Sequence, residues 1–519
     1  MIPDPLRLFL PNRAGWFFVL MLALFLFARP LMLLGDGDIC RHLLTGLYFF
    51  QHHTLPATNY ICAITPDSAW MTNSFAADVL YAGAYQLFGL NGVVALASFV
   101  IALAFTASYQ IARVRGLGPM IGLLLLCLAA AISSMHWLAR PHVLTWLLFI
   151  IYYYVVFVSN MKVGARCLTL AVITLVWANT HGSFYLGIGM LVCKLIGDLL
   201  QPKSGLSPAG TKESGLSPAA TIARIPDSFV WNIGVLVATL AAAALNTHGG
   251  ANFLLYIFQF LGSAAVANSE WRNIDFSLGT PVWCFIALIL ITVAIVVYSP
   301  RRPRLAEFGF ALALFAYSLY AMRIMPYFAL LALPAMAPQW SALRESMLQS
   351  NSKELPLRSF KAFIAADARA EKQEPDSSKV VAIWCVAALA VLACFFAMPQ
   401  FKLTDFDPEK LPVACTDYIK TKNLSGLGFT QDDWAAYLYW KTGERIFIDD
   451  YTDLYPPQLV HDYTRLYFTY PDWQSVIKKY NFQYILLPRG LPLAQLIAGD
   501  SNWKKVCEDP ASMLFVPAK

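Results

Sequence analysis

The stretch WFFVLMLALFLFARPLMLLGDGDICRHLLTG occupies residues 16–46 and decides the fold. Its first part, 16–35, is an apolar run long enough for one helix to cross the roughly 30 Å hydrocarbon core of a bilayer. Arg7 and Arg13 precede it, and no small-residue cleavage site follows it, so it reads as an uncleaved anchor. Two carboxylates come next, Asp36 and Asp38. Arg41 and His42 follow one helical turn on.

Further apolar runs fall at 91–112, 118–135, 142–159, 163–180, 183–200, 229–246, 280–298, 306–322, 325–342 and 380–397. With the first run they predict eleven spans. Composition agrees: 58% of the 519 residues are hydrophobic and 13% charged, with mean hydropathy +0.54. A soluble domain carries about 25% charged residues, so an ordinary cytosolic enzyme, a disordered chain and a nucleic-acid binder are excluded. The formal charge is +6, but residues 398–519 hold 13 Lys and Arg against 15 Asp and Glu. The basic excess therefore lies in the membrane part.

With the N-terminus inside, the inner segments carry 19 Lys and Arg and the outer loops carry 4: Arg41, Arg140, Arg272 and Arg323. That bias fits the positive-inside rule and puts the C-terminus outside. Two apolar stretches, 73–89 and 251–267, read as helices lying in the outer interface. The expected layout is a helical membrane domain over 1–397 and an external α/β domain over 398–519. The membrane domain has a structured first outer loop (36–90) and cytoplasmic loops at 201–228 and 343–379. The first cytoplasmic loop repeats SGLSPAGT as SGLSPAAT and reads as low-complexity linker.

In the C-terminal part, DYIKTK and DDWAAYLYW read as helices, and RIFID, QYILLP and SMLFVP as short strands. The fold class is thus a polytopic α-helical membrane protein with a small C-terminal α/β domain. Asp449, Asp450 and Asp453 cluster after a strand end, where α/β sheets often bind ligands; a solvated acidic turn is the commoner explanation of such a cluster. Cys40 and Cys62 share the first outer loop, and Cys415 and Cys507 share the external domain. Either two disulfides or four thiols fit that arrangement.

All eight histidines fall on the outer side: His42, His52, His53, His136, His142, His181, His248 and His461. The short polar motifs fall there too: GDGD at 35–38, RPH at 140–142, WANTHG at 177–182, LNTHGG at 245–250, SEW at 269–271 and MRIMP at 322–326. Ionisable groups at span ends are costly unless they face a cavity or a partner, so these ends predict a polar site at the outer boundary. Asp36 and Asp38 can supply a general base and a metal ligand, and helix capping is the plainer use of such a pair. Arg140, Arg323, His142 and His181 suit a phosphate; snorkelling to headgroups is the alternative for the arginines. His42 and His248 fit an acceptor or sugar site, and Glu270 beside Trp271 would place a carboxylate next to an aromatic platform. No HxxxH or HExxH spacing marks a metal site, so the cofactor stays open, a divalent metal included. For His52, His53 and His136 a backbone-bonded interfacial role is the expectation.

One N-terminal span, an acidic pair opening the first outer loop and interfacial helices in that loop resemble the GT-C superfamily of polytopic glycosyltransferases. More closely, the order GDGDICRHLLTG, RPH, WANTHG, LNTHGG, SEW and the Arg-before-Pro segment is similar to bacterial membrane proteins that end in an external α/β domain. The resemblance implies a polyprenyl-phosphate-linked sugar donor, a glycan, lipid or protein acceptor, and Asp36 or Asp38 as base. It also implies a bacterial inner membrane with a periplasmic active face. The acidic motif is DGD where the mannosyltransferase and aminoarabinose branches carry DE, and no WWD sequence is present. Two other classes fit the composition: a transporter or flippase of a lipid-linked or anionic substrate, and a non-catalytic membrane scaffold. A transporter would place charges near the midplane and show matching halves, which this sequence lacks.

Overall fold

The computed structural model describes residues 13–70, 72–200, 227–246, 250, 252, 273–349, 355–373, 377–450 and 455–518. His248, Asp453, Glu270, Trp271, the 251–267 stretch and the repeat-bearing linker lie outside the described residues. Each of the eleven apolar runs coincides with a helix. Among the described residues, five helices are long and apolar enough to cross a membrane: Phe75–Val114, Pro119–His136, Pro141–Val158, Gly182–Leu200 and Thr280–Tyr298. Shorter apolar helices at Arg13–Ala28, Val163–Ala178, Phe229–Ala243, Leu305–Tyr320 and Trp384–Ala397 cover other runs.

The chain divides into two compact units. The first comprises Met1–Phe18, Ile101–His136 and Thr145–Trp384. Its helices pair along their apolar faces. Val163–Ala178 lies against Asp227–Ala243, Leu305–Tyr320 against Tyr185–Leu200, and Pro119–Ser133 against both Thr280–Tyr298 and Met325–Gln349. Met325–Gln349 tolerates Pro334 and Pro338 because neighbouring helices enclose it; most of its side chains are buried. Trp146, Trp177, Trp340, Tyr152 and Tyr327 are fully enclosed. One buried ion pair crosses this unit, Arg115 Nη2 to Glu307 Oε2 at 2.8 Å, and Tyr153 donates its hydroxyl to the same carboxylate.

The second unit comprises Val19–Val100, Trp137–Leu144 and Cys385–Lys519. It joins the loop after the first apolar run to the C-terminal α/β segment. Four strands form the sheet: β1 (Gly428–Thr430), β2 (Tyr484–Pro488), β3 (Trp503–Glu508) and β4 (Ser512–Pro517). Their order is β1-β2-β4-β3, parallel between β1 and β2 and antiparallel elsewhere. QYILLP and SMLFVP are strands as expected, and DYIKTK and DDWAAYLYW lie in helices Val413–Thr421 and Asp432–Thr442. RIFID is not a strand. Only Ile446 pairs there, bridging Gly428 on one side and Cys62 on the other. The backbone bonds are Ile446 N–H to Ile61 O at 2.9 Å, Ala63 N–H to Ile446 O at 2.7 Å and Phe447 N–H to Gly428 O at 3.0 Å. Ile446 and Phe447 thus cover the β1 edge, and residues 61–63 pair with Ile446 beyond it, where backbone groups would otherwise be unpaired. Below it Phe429, Phe447, Phe482, Ile485 and Phe515 form a core that also takes in Cys62. Cys415 and Cys507 form a disulfide; Cys40 and Cys62 are separate, buried thiols.

Two glycines let helices meet at backbone contact. A Cβ on Gly37 would stand 2.1 Å from the Asp433 carbonyl oxygen, and one on Gly46 would stand 2.2 Å from that of Asp78. Helix Asp38–His52 is therefore pressed against helix Asp432–Thr442 and against the helix beginning at Phe75. The latter breaks at Gly89, whose φ of 60° and ψ of −148° no helix contains. The break ends the 73–89 segment where the sequence separates it from the 91–112 run.

Gly46→Ala is expected to destabilise the protein by about 1–3 kcal/mol through overpacking. Gly83→Ala, whose added Cβ would meet nothing closer than Phe50 at 3.7 Å, is expected to be near neutral. Thermal unfolding of the two variants in detergent checks the contrast.

Candidate functional site

In the second unit, Asp38 opens helix Asp38–His52, and Asp36 accepts the Asp38 backbone N–H at 2.8 Å. The pair therefore performs the capping the sequence allowed. It also does more. Arg140 pairs through Nη2 with Asp36 Oδ2 and, at 2.5 Å, with Asp38 Oδ2. Arg140 itself is fixed from behind. The preceding Ala139 donates its N–H to Leu33 O at 2.9 Å, Tyr81 donates to the Arg140 carbonyl at 3.2 Å, and Pro141 starts the next helix. His142 is buried one residue on.

Arg41 reaches the C-terminal segment, with Nη2 2.7 Å from Asp450 Oδ2. His42 points elsewhere. Its Nδ1 lies 2.6 Å from Asp78 Oδ1, and Thr72 and Ser74 donate hydroxyls to the same carboxylate at 2.8 and 3.0 Å. Burial lowers the His42 pKa, against the pull of Asp78. His52 bonds the Tyr48 carbonyl at 3.1 Å and stacks on the Tyr48 ring.

Helix Asp432–Thr442 adds two carboxylates that sequence reading did not single out. Asp432 accepts the Tyr463 hydroxyl at 2.9 Å. Asp433 keeps Oδ1 buried with no hydrogen-bond partner among the described residues. Asp449 accepts the Tyr455 hydroxyl at 2.5 Å, and Asn59 donates to that hydroxyl at 3.0 Å. Asp36, Asp38, Asp432, Asp433, Asp449 and Asp450 thus share one unit, in which Arg140 pairs with Asp36 and Asp38 and Arg41 pairs with Asp450.

Crowded burial raises the carboxyl pKa values. Asp36 is pushed up to about 6, chiefly by burial and partly by Asp38, while Arg140 pulls the other way. Asp450 is pushed up to about 6 by burial, with Arg41 opposing and Asp449 adding. Asp433 goes well above the usual carboxylate range, first from burial and then from the charges of Asp432, Asp36 and Asp38. Burial and neighbouring like charge both disfavour the ionised form of such a carboxyl. Among the described residues no three His, Cys, Asp or Glu side chains assemble a metal cage. Arg140 stands between the Asp36 and Asp38 carboxylates.

The first unit holds a second polar cluster. His181 accepts the Ser183 N–H at Nδ1, 3.0 Å away, which leaves the proton of a neutral ring on Nε2. Arg323 Nη2 lies 3.4 Å from that Nε2. Two nitrogen donors therefore stand side by side, and both are groups that can donate to an oxyanion. Ser183 is itself held by Trp177 Nε1 at 3.1 Å, by the Tyr327 hydroxyl at 3.1 Å and by Thr145 at 3.2 Å. Asn246 donates to the Ala178 carbonyl at 2.5 Å, so WANTHG, MRIMP and the start of LNTHGG lie together.

No protein-family model and no curated protein sequence matches the chain. Solved structures do. The oligosaccharyltransferase AglB of Archaeoglobus fulgidus, solved with an inhibitory peptide and a dolichol-phosphate, aligns over 92% of this chain and 69% of its own. Its TM-score is 0.51 at 12% identity. The same enzyme tethered to an acceptor peptide gives 0.50 over 92% and 68%. The fold is GT-C. ArnT of Cupriavidus metallidurans, solved with undecaprenyl phosphate, aligns over 97% of this chain and 98% of its own, with TM-score 0.47 and 13% identity. At such identities the likeness is one of fold. Asp78, Asp432, Asp433 and Tyr463 are the contributors to these clusters that sequence reading missed. Only the DD pair opening an expected helix carried any signal for them.

Arg140→Gln is expected to raise the Asp36 midpoint further above about 6, since the lost cation favours the carboxylate. Infrared difference titration of the carboxyl bands follows the shift.

Proposed function

We propose that the chain is a membrane glycosyltransferase that moves a sugar from a polyprenyl-phosphate-linked donor to a hydroxyl acceptor on the outer face of the membrane. The observation that carries the reading is the buried Asp36–Arg140–Asp38 clamp at the head of the first loop of a GT-C fold. The dolichol-phosphate held by AglB supports a lipid phosphate as the donor carrier.

Asp36 is the general base. It takes the acceptor O–H proton, the acceptor oxygen bonds the anomeric carbon, and the bond from that carbon to the phosphate oxygen breaks. The phosphate leaves with the electron pair. Arg323 and His181 are the proposed phosphate-binding residues, and their N–H groups can donate to an oxyanion. Asp38 and Arg140 hold Asp36 in register and tune its proton affinity. Asp433, whose buried Oδ1 lacks a hydrogen-bond partner among the described residues, orients the acceptor. His42, buried against Asp78, sets the angle of helix Asp38–His52 and is a positioning residue. In this reading His142 lies beside the donor, and His248, Glu270 and Trp271 serve the acceptor sugar. The C-terminal domain faces the periplasm of a bacterial inner membrane.

Transfer activity is expected to rise with pH through about 6, as Asp36 loses its proton, and to hold a plateau above it. Asp36→Asn should lower kcat by roughly 10²–10⁴-fold without the pH limb remaining. A full-rate Asp36→Asn enzyme at normal protein level would overturn the assignment. Separately, Arg323→Ala should deplete co-purifying polyprenyl phosphate by roughly 10–100-fold, read by mass spectrometry of extracted lipid.

A further inference from the structure

Helix Leu355–Lys372 takes no part in the chemistry above. One of its faces is fastened to the first unit. Asp367 accepts the Met120 N–H at 2.7 Å and so caps helix Pro119–Ser133. Glu371 lies between Arg113 Nη1 at 3.3 Å and Arg344 Nη1 at 2.5 Å. Ile364 is fully buried, and the Phe360 ring meets Trp340 edge-on. At about 100° per residue, Phe360, Ile364, Asp367 and Glu371 fall within an arc of about 60°.

The cations fall elsewhere. Arg358, Lys361, Arg369 and Lys372 occupy a separate arc of about 80°, centred about 130° from the fastened one. Arg358, Arg369 and Lys372 are exposed and Lys361 is half-buried. Ala365 fills the rest of that arc, and both helix carboxylates are engaged on the fastened face. Solvation alone would scatter the charges around the exposed surface; here they share a line about 20 Å long.

We propose that this stripe docks on anionic phospholipid headgroups. Charge and position both fit. The helix is tied to the apolar helices Met325–Gln349 and Ser377–Ala397 by five residues on one side and four on the other. A chain of that length reaches at most about 20 Å, which keeps the stripe within the headgroup layer of any bilayer those helices enter. Each Lys or Arg near an anionic surface contributes about 1 kcal/mol, roughly a fivefold preference. The inference rests on the membrane reading and not on glycosyl transfer, so either can fail alone.

The full-length protein in nanodiscs of phosphatidylcholine, with or without added phosphatidylglycerol, provides the test. Amide exchange of residues 358–372 is read by mass spectrometry. Exchange is expected to slow at least about fivefold with phosphatidylglycerol and to recover in high salt. Arg358→Gln with Arg369→Gln should abolish most of the slowing, while Arg358→Lys with Arg369→Lys should keep it. Equal exchange in the two lipid mixtures overturns the proposal, and needs no variant. Slowing that survives the glutamine pair assigns the lipid contact to another surface and overturns it too.

Discussion

Everything at the candidate site depends on one buried guanidinium. Arg140 is held between Asp36 and Asp38 in a place where water does not share the charge. A buried cation without carboxylates would cost several kcal/mol, and two buried carboxylates without a cation would not both stay ionised. The grouping is stable only as a set. That set in turn fixes the start of helix Asp38–His52, and with it the packing of Gly37 on Asp433 and of Gly46 on Asp78. The acid–base poise of Asp36 is a by-product of the same crowding.

The spans were legible because apolar length is a local property of the chain. The DGD and RPH motifs were legible because charges at span ends stand out against their surroundings. Their mutual arrangement was not. Asp36 and Arg140 are far apart in sequence, and each alone reads as a cap or a headgroup anchor. Asp432 and Asp433 were quoted as part of a helix, yet nothing local says that the helix start lies against Gly37. RIFID looked like a strand because it is apolar and β-branched; a single residue of it carries the sheet pairing, and the rest is buried by packing. The β1 strand, three residues long, and β3, rich in exposed charge, carry too little pattern to be found by alternation.

The two polar clusters differ in design. The Asp36–Arg140–Asp38 group is saturated with opposite charge and suits a proton-transfer role. The His181–Arg323 pair is the reverse: donors meet donors, and the imidazole tautomer is set by the Ser183 N–H. Ser183 is held by three side chains from separate helices, so the tautomer is locked by packing rather than by solvent. Such a site favours an anion without any change in the protonation of the protein.

The backbone seam at Cys62, Ile446 and Gly428 has a consequence for biogenesis. Cys62 donates its thiol to the carbonyl of Phe447 across 385 positions of sequence. The edge of the C-terminal sheet is finished by residues that leave the ribosome long before the sheet exists. Until then the first loop holds Ile61 and Ala63 backbone groups with no sheet to join, and the nascent chain must keep them from other partners. Closure of so long a loop is slow. A chain released early, lacking only its last hundred or so residues, would therefore leave an adhesive strand near its own beginning.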